Sequence, residues 1–259
     1  MSKPIGIFDS GVGGLTVAKE IIATMPHQPI VYFGDCLRVP YGDRTDDDLR
    51  GISEEITHFL LKQGVQALVV ACGTISSRIF QDVRGMVCEG VPVFGMLASG
   101  VRGVLETTKN NRIGIIATEG SINARGFENA ISAANPKAKI TAVACPLFPH
   151  IVEEGWVDNA VAYEAAKIYT QPFVGTDIDT LLLGCTHYPL LEGVLRKNLP
   201  EKVQLVDPAK YLAYEIKHAI CTPISGKNVT HKFYVSAKKE RFDKIAERIL
   251  GFSVDAHLI

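Results

Sequence analysis

Several things are missing from this 259-residue chain, and each absence excludes a class. No stretch of Lys and Arg is long enough to form a basic tract, and the formal net charge is only −1. Nothing electrostatic therefore points to nucleic acid or to an anionic membrane. No apolar run is long enough to span a bilayer, Ala67–Cys72 being among the longest. Met1-Ser2-Lys3-Pro4 leads straight into a strand-like run, without the apolar core and small-residue cleavage site of a signal peptide. A cytoplasmic protein is the expectation. The six cysteines (Cys36, Cys72, Cys88, Cys145, Cys185 and Cys221) include no C-x-x-C pair and no Cys/His cluster at zinc spacing, so no metal site is expected. Cys36, Cys88 and Cys221 are expected to be small buried thiols in a reducing compartment. G-x-S-x-G is missing, which argues against a Ser/His/Asp hydrolase. So are G-x-G-x-x-G and a Gly-Lys-Ser/Thr ending, which argues against a nucleotide loop.

What the chain has is alternation. Apolar residues make up 47% and charged residues 21%, ordinary for a globular protein. Short apolar runs at 5–8, 30–33, 67–71, 92–95, 113–117, 140–144, 181–184 and 203–206 predict strands. Longer amphipathic stretches at 15–24, 45–63, 76–86, 98–107, 123–133, 161–169, 190–198, 210–219 and 238–250 predict helices. Strand-then-helix order signals βα units and mainly parallel sheets, a doubly wound α/β architecture. An internal repeat divides it. Ile5-Gly6-Ile7 is echoed by Ile113-Gly114-Ile115, and Leu68-Val69-Val70-Ala71-Cys72 by Leu181-Leu182-Leu183-Gly184-Cys185. Two similar α/β halves facing each other would bring Cys72 and Cys185 to opposite walls of one cleft, where open α/β sheets bind ligands.

Four segments carry chemistry. Asp9-Ser10-Gly11-Val12-Gly13-Gly14, between the first strand and helix, can present backbone N–H groups to an anion. Arg38-Val39-Pro40-Tyr41-Gly42 is a turn ahead of a helix with Thr45 as N-cap. Ala71-Cys72-Gly73-Thr74 and Gly184-Cys185-Thr186-His187-Tyr188-Pro189 each put a Cys between a strand and a helix. There the helix dipole is expected to lower the thiol pKa from its free value of about 8.5. His187 could orient or protonate Cys185. Two thiols on opposite faces of one carbon suit the inversion of a stereocentre, because each has a pKa near enough to neutrality to act as acid or base. Thr74, Thr186 and the glycine-rich turn offer donors to the developing carbanion and its carboxylate.

Taken together, Ile7–Thr16, Val39-Pro40-Tyr41-Gly42, Ala71-Cys72 with Thr74, Ile116–Gly120, Ala144-Cys145-Pro146, Glu153 before Gly155, Gly184–Pro189 and Asp207-Pro208 give a resemblance across almost the whole chain. The chain resembles the glutamate racemases of the aspartate/glutamate racemase superfamily. The resemblance implies cofactor-independent interconversion of L- and D-glutamate, supplying D-glutamate for bacterial peptidoglycan. It implies Cys72 and Cys185 as catalytic acid/bases, Asp9 assisting Cys72, and His187 with Glu153 assisting Cys185. Substrate contacts would fall to Ser10, Pro40, Tyr41, Gly42, Gly73, Thr74, Thr118, Ser121 and Thr186. It also implies two α/β domains with the site between them, often in a homodimer. With the carboxyl-terminal segment returning to the first domain, the expected division is 1–95 plus 209–259 against 96–208.

The sequence departs from that family at three places. Gly73 stands where an Asn is usual, Ser121 where a Thr is usual, and Ala98-Ser99-Gly100 where a Pro-Gly pair is common. Losing one hydrogen bond from an Asn to a charged group costs about 1.5–3 kcal/mol. Two other readings therefore stand beside glutamate racemisation: a racemase of aspartate or another small amino acid, and a weakly active relative serving as a binding or regulatory protein.

Overall fold

The computed structural model describes residues 3–220 and 229–259; Cys221 lies outside them. Among the described residues ten strands form two all-parallel sheets. The first contains β1 (Ile5–Asp9), β2 (Ile30–Gly34), β3 (Ala67–Val70), β4 (Val93–Gly95), β9 (Lys232–Val235) and β10 (His257–Leu258), in the order β10-β9-β2-β1-β3-β4. The second contains β5 (Arg112–Ala117), β6 (Lys139–Ala144), β7 (Thr180–Leu183) and β8 (Gln204–Val206), in the order β6-β5-β7-β8.

The repeat seen in the sequence is a repeat of topology. The order β2-β1-β3-β4 in one sheet matches β6-β5-β7-β8 in the other, so β3 and β7 are equivalent strands. Cys72 and Cys185 each stand two residues beyond them. The strands read as continuous apolar runs because both faces of a parallel sheet are covered. Ile5, Ile7, Ala67 and Val69 enter one core while Phe8, Val31, Phe33, Leu68 and Val70 enter another. The first of these cores also takes in Leu181, Leu183 and Cys185, so the two halves share apolar packing. No helix among the described residues is long and apolar enough to cross a membrane.

Several expectations are corrected. The helix expected over 76–86 is two, Gly73–Arg78 and Phe80–Gly85, broken at Ile79 (φ −130°, ψ 23°). The bend lets Ile75 and Val83 enter the same core. The helix expected over 123–133 is also two, Glu119–Ala124 and Gly126–Ala134, broken at Arg125, which is left-handed at φ 54°. Gly126 then backs onto Ser77, whose carbonyl oxygen would lie 2.7 Å from any Cβ there. The helix Leu147–Glu153 and the strands β9 and β10 carry too little periodic pattern to be read in advance. Cys88 is exposed rather than buried, because it lies in the loop leading to β4 and outside the core; Cys36 is buried as expected. Thr45 caps its helix as the sequence suggests, its hydroxyl accepting from the Asp48 N–H at 3.2 Å.

Candidate active site

The carboxyl end of β1 delivers Asp9, fully buried, into the glycine-rich turn. Its carboxylate accepts from the Gly11 N–H at 3.1 Å and from the Thr186 hydroxyl at 3.1 Å. Ser10 is buried beside it. The glycines are there because of what lies against them. A Cβ on Gly13 would come within 2.6 Å of His187 Nδ1 and Thr186 Oγ1, and one on Gly11 would collide with Glu153 Oε1.

Beyond β7, Cys185 is followed by a 3-10 turn, Tyr188–Leu191, and only then by a helix, Glu192–Asn198. The helix start expected at Cys185 is thus further along the chain. His187 joins two partners, with Nδ1 3.6 Å from Cys185 Sγ and Nε2 2.9 Å from Glu153 Oε1. Glu153, at the end of the helix Leu147–Glu153, also accepts from the Val12 N–H at 3.0 Å. Asp9 with Thr186, and Cys185 with His187 and Glu153, therefore form two adjacent buried hydrogen-bonded sets. The Thr186 hydroxyl, expected to face a substrate, is engaged by Asp9.

On the other side, Cys72 caps the short helix Gly73–Arg78 without a side-chain hydrogen bond. Gly73 packs on the second half: a Cβ there would collide with the Gly184 carbonyl oxygen and sit 3.4 Å from Cys185 Cα. The Thr74 and Thr118 hydroxyls meet at 3.0 Å, and Thr118 reaches Ser121 at 3.0 Å. A Cβ on Gly42 would lie 3.0 Å from Thr118 Cβ. Pro40 is half-buried after a cis Val39–Pro40 bond, and Tyr41 is buried. Of the residues named from the sequence, Cys185 and Glu153 meet at His187, Asp9 meets Thr186, and Gly42, Thr74 and Ser121 gather around Thr118, while Tyr41 turns to Asp35.

Burial dominates the electrostatics. It pushes the Cys72 thiol well up, aided by the Asp9 charge and opposed by the N–H groups of Ile75 and Thr74. The lowered thiol expected from the helix start is thus overturned for Cys72, since two N–H groups do not offset loss of water. Burial also raises Asp9, against the His187 charge, the Gly14 and Gly11 N–H groups and the Thr186 hydroxyl. Burial alone would lower His187, but its bonds to Cys185 and Glu153 outweigh that and hold it well above its ordinary value. The His187 ring thus lies buried between a sulfur and a carboxylate.

Two residues near the site were not singled out in the sequence. Asp35, fully buried after β2, accepts from Tyr41 Oη at 2.6 Å, Arg38 Nε at 2.6 Å and the Ser236 hydroxyl at 2.7 Å. It ties the Pro40-Tyr41-Gly42 turn to the residue after β9, a pairing invisible without the tertiary structure. Ser77 donates to the Ser121 hydroxyl at 3.0 Å across the two halves. Among the described residues no cluster of three or more His, Cys, Asp or Glu could hold a metal ion.

The Asp/Glu/Hydantoin racemase family profile matches residues 15–216. The chain belongs to that racemase family. Proteins named glutamate racemase are similar over nearly the whole chain. One from Geobacter metallireducens is 40% identical over 254 residues, 96% of this chain and 93% of its own. A second, glutamate racemase 2 of Caldanaerobacter subterraneus, is 38% identical over 257 residues, 98% of this chain and 96% of its own. A glutamate racemase isoform of Bacillus anthracis has a crystal structure that superposes with a TM-score of 0.92 at 35% identity, covering 99% of this chain and 97% of its own. The Francisella tularensis glutamate racemase, crystallised with D-glutamate, superposes with a TM-score of 0.89 at 32% identity over 99% of this chain and 97% of its own. The two-sheet α/β architecture of this racemase is therefore that of its relatives.

Proposed function

We propose that the protein interconverts L- and D-glutamate without a cofactor, using Cys72 and Cys185 as paired acid and base. The observation that carries the reading is the contact of Cys72-Gly73 with Gly184-Cys185: equivalent strand ends from the two halves, each bearing a thiol, meet face to face. The two thiols also sit in different surroundings. Burial and Asp9 favour Cys72 as a neutral thiol, the acid. Cys185 Sγ has His187 Nδ1 at 3.6 Å, itself backed by Glu153, a partner that can exchange its proton, which suits it to act as the base. A proton leaves the substrate Cα to Cys185 Sγ while Cys72 Sγ delivers its own to the opposite face; the reverse turnover begins with the roles exchanged. Asp9 assists Cys72, and His187 with Glu153 assists Cys185. Ser10, Pro40, Tyr41, Gly42, Gly73, Thr74, Thr118, Ser121 and Thr186 form the substrate's surroundings. The segments 1–95 with 209–259 and 96–208 act as the two jaws of the cleft.

Glutamate is favoured by the names of the relatives and by the D-glutamate held in one of them. Supply of D-glutamate to peptidoglycan in the cytoplasm, by a homodimer, belongs to the same reading. The test is a panel of single-enantiomer amino acids incubated with purified protein in cofactor-free buffer and analysed by chiral chromatography. Racemisation of glutamate from both enantiomers is expected. Turnover of aspartate but not glutamate would move the substrate while keeping the chemistry, and no turnover of any amino acid would overturn the reading.

A further inference from the structure

The peptide unit joining Gly11 to Val12 is held at both ends. Its N–H, on Val12, donates to Glu153 Oε1 at 3.0 Å. Its carbonyl oxygen, on Gly11, accepts from Tyr32 Oη at 2.7 Å. Tyr32 stands fully buried in β2, in the first half, whereas Glu153 ends the helix Leu147–Glu153 in the second. The Tyr32 ring packs 6.2 Å from Phe233 in β9 and 5.9 Å from Phe242 in the helix Lys239–Leu250, so its hydroxyl sits on a fixed arm. Burial pushes the phenol well above its ordinary value, and the Asp9 charge adds to this, so Oη keeps its proton and donates it. Gly14 leaves room for that hydroxyl: a Cβ there would lie 2.7 Å from Oη.

A peptide unit is planar, with its N–H and C=O pointing in opposite directions. Fixing the oxygen therefore fixes the line of the N–H, and Gly11 has no side chain to stop the plane from turning without it. A bond accepted at the oxygen also polarises the unit and strengthens its N–H as a donor. That N–H ends on the same Oε1 that meets His187 Nε2 at 2.9 Å, and His187 Nδ1 lies 3.6 Å from Cys185 Sγ. Contacts thus run from Tyr32 through one peptide, one carboxylate and one imidazole to the thiol. We propose that Tyr32 is a positioning residue for Cys185: its hydroxyl locks the Gly11–Val12 peptide so that Glu153 holds His187 against the thiol. The proposal rests on the racemase reading above.

Tyr32→Phe keeps the ring and removes only the hydroxyl. With glutamate it is expected to lower kcat about three- to tenfold, the range set by one hydrogen bond, and to leave KM within about twofold, because Tyr32 is not among the residues around the substrate. In a Glu153→Ala background the same change is expected to cost less than about twofold, because the Val12 N–H has lost its target. A hydroxyl that only supports the fold would cost as much in either background. Nitrogen-15 NMR of the His187 ring in wild type and Tyr32→Phe reads the same link without turnover, and the Nε2 resonance is expected to move. Thermal unfolding checks that each variant is folded. Unchanged kcat in Tyr32→Phe would overturn the proposal, as would an equal loss in both backgrounds or an unmoved Nε2 resonance. Wild-type protein inactive on every amino acid would overturn the racemase reading and this proposal together, whereas active wild type with an unchanged Tyr32→Phe sinks this proposal alone.

Discussion

Gly73 and Gly184 meet backbone to backbone across the two halves: a Cβ on Gly73 would collide with the Gly184 carbonyl oxygen. A carbonyl oxygen one residue before Cys185 has no flexible end to move aside, so a side chain at position 73 must push the Cys72 and Cys185 segments apart.

Gly73→Ala is therefore expected to lower kcat/KM by about ten- to a hundredfold, the range given by an overpacking strain of about 1–3 kcal/mol. Gly73→Asn, although it restores the family's usual residue, should fall in the same direction. Polarimetry on glutamate with thermal unfolding of the same samples checks this; full activity in Gly73→Ala would contradict it.

His187 is held well above its ordinary value by Cys185 and Glu153 against the cost of burial. A raised folded-state value means its contribution to stability is complete below the unfolded value of about 6.5 and is lost as pH rises through the folded one. Denaturant unfolding of wild type and His187→Gln across pH should show the largest difference at or below about pH 6.5, shrinking as pH rises. A difference that grows with pH would reverse the assignment.

Cys88 is exposed, whereas Cys72 and Cys185 are 4% and 7% exposed and Cys72 is further held as a thiol by burial and by Asp9. Brief iodoacetamide treatment followed by peptide mass mapping should label Cys88 well before Cys72. Cys88→Ser should keep wild-type turnover. Faster labelling of Cys72 would mean that its thiolate is populated in the resting protein.

Asp35 is the single buried acceptor of Tyr41, Arg38 and Ser236 among the described residues. Asp35→Ala leaves the Tyr41 and Ser236 hydroxyls without this acceptor and Arg38 with only its exposed partner Glu55, and should cost about 1–3 kcal/mol in denaturant unfolding, with KM rising because the Pro40-Tyr41-Gly42 turn loses its anchor. Tyr41→Phe removes one bond and should cost about 1 kcal/mol. Equal stability of Asp35→Ala and wild type would contradict this.

Much of this was legible in the chain itself. Ile5-Gly6-Ile7 and Ile113-Gly114-Ile115 open equivalent strands, and the two Cys-bearing runs end equivalent strands, because a parallel sheet buried on both faces writes itself as apolar runs. The cluster of Asp9, Cys185, Thr186, His187 and Glu153 also assembles from residues marked in advance. What stayed hidden depends on contacts distant in sequence. Ser236 reaches Asp35 across 201 residues and Ser77 reaches Ser121 across 44, with no local spacing to reveal either. The Cys72 thiol departs from the expectation for the same reason. Helix position is local, but burial of Cys72 is supplied by the whole fold and outweighs it.

The central claim is two thiols on one carbon. Its most direct test incubates wild type, Cys72→Ala and Cys185→Ala with L-glutamate in heavy water, following optical rotation and Cα deuterium together. The account predicts racemisation with deuterium uptake in wild type and loss of racemisation in both variants. Racemisation that persists in either variant would contradict it.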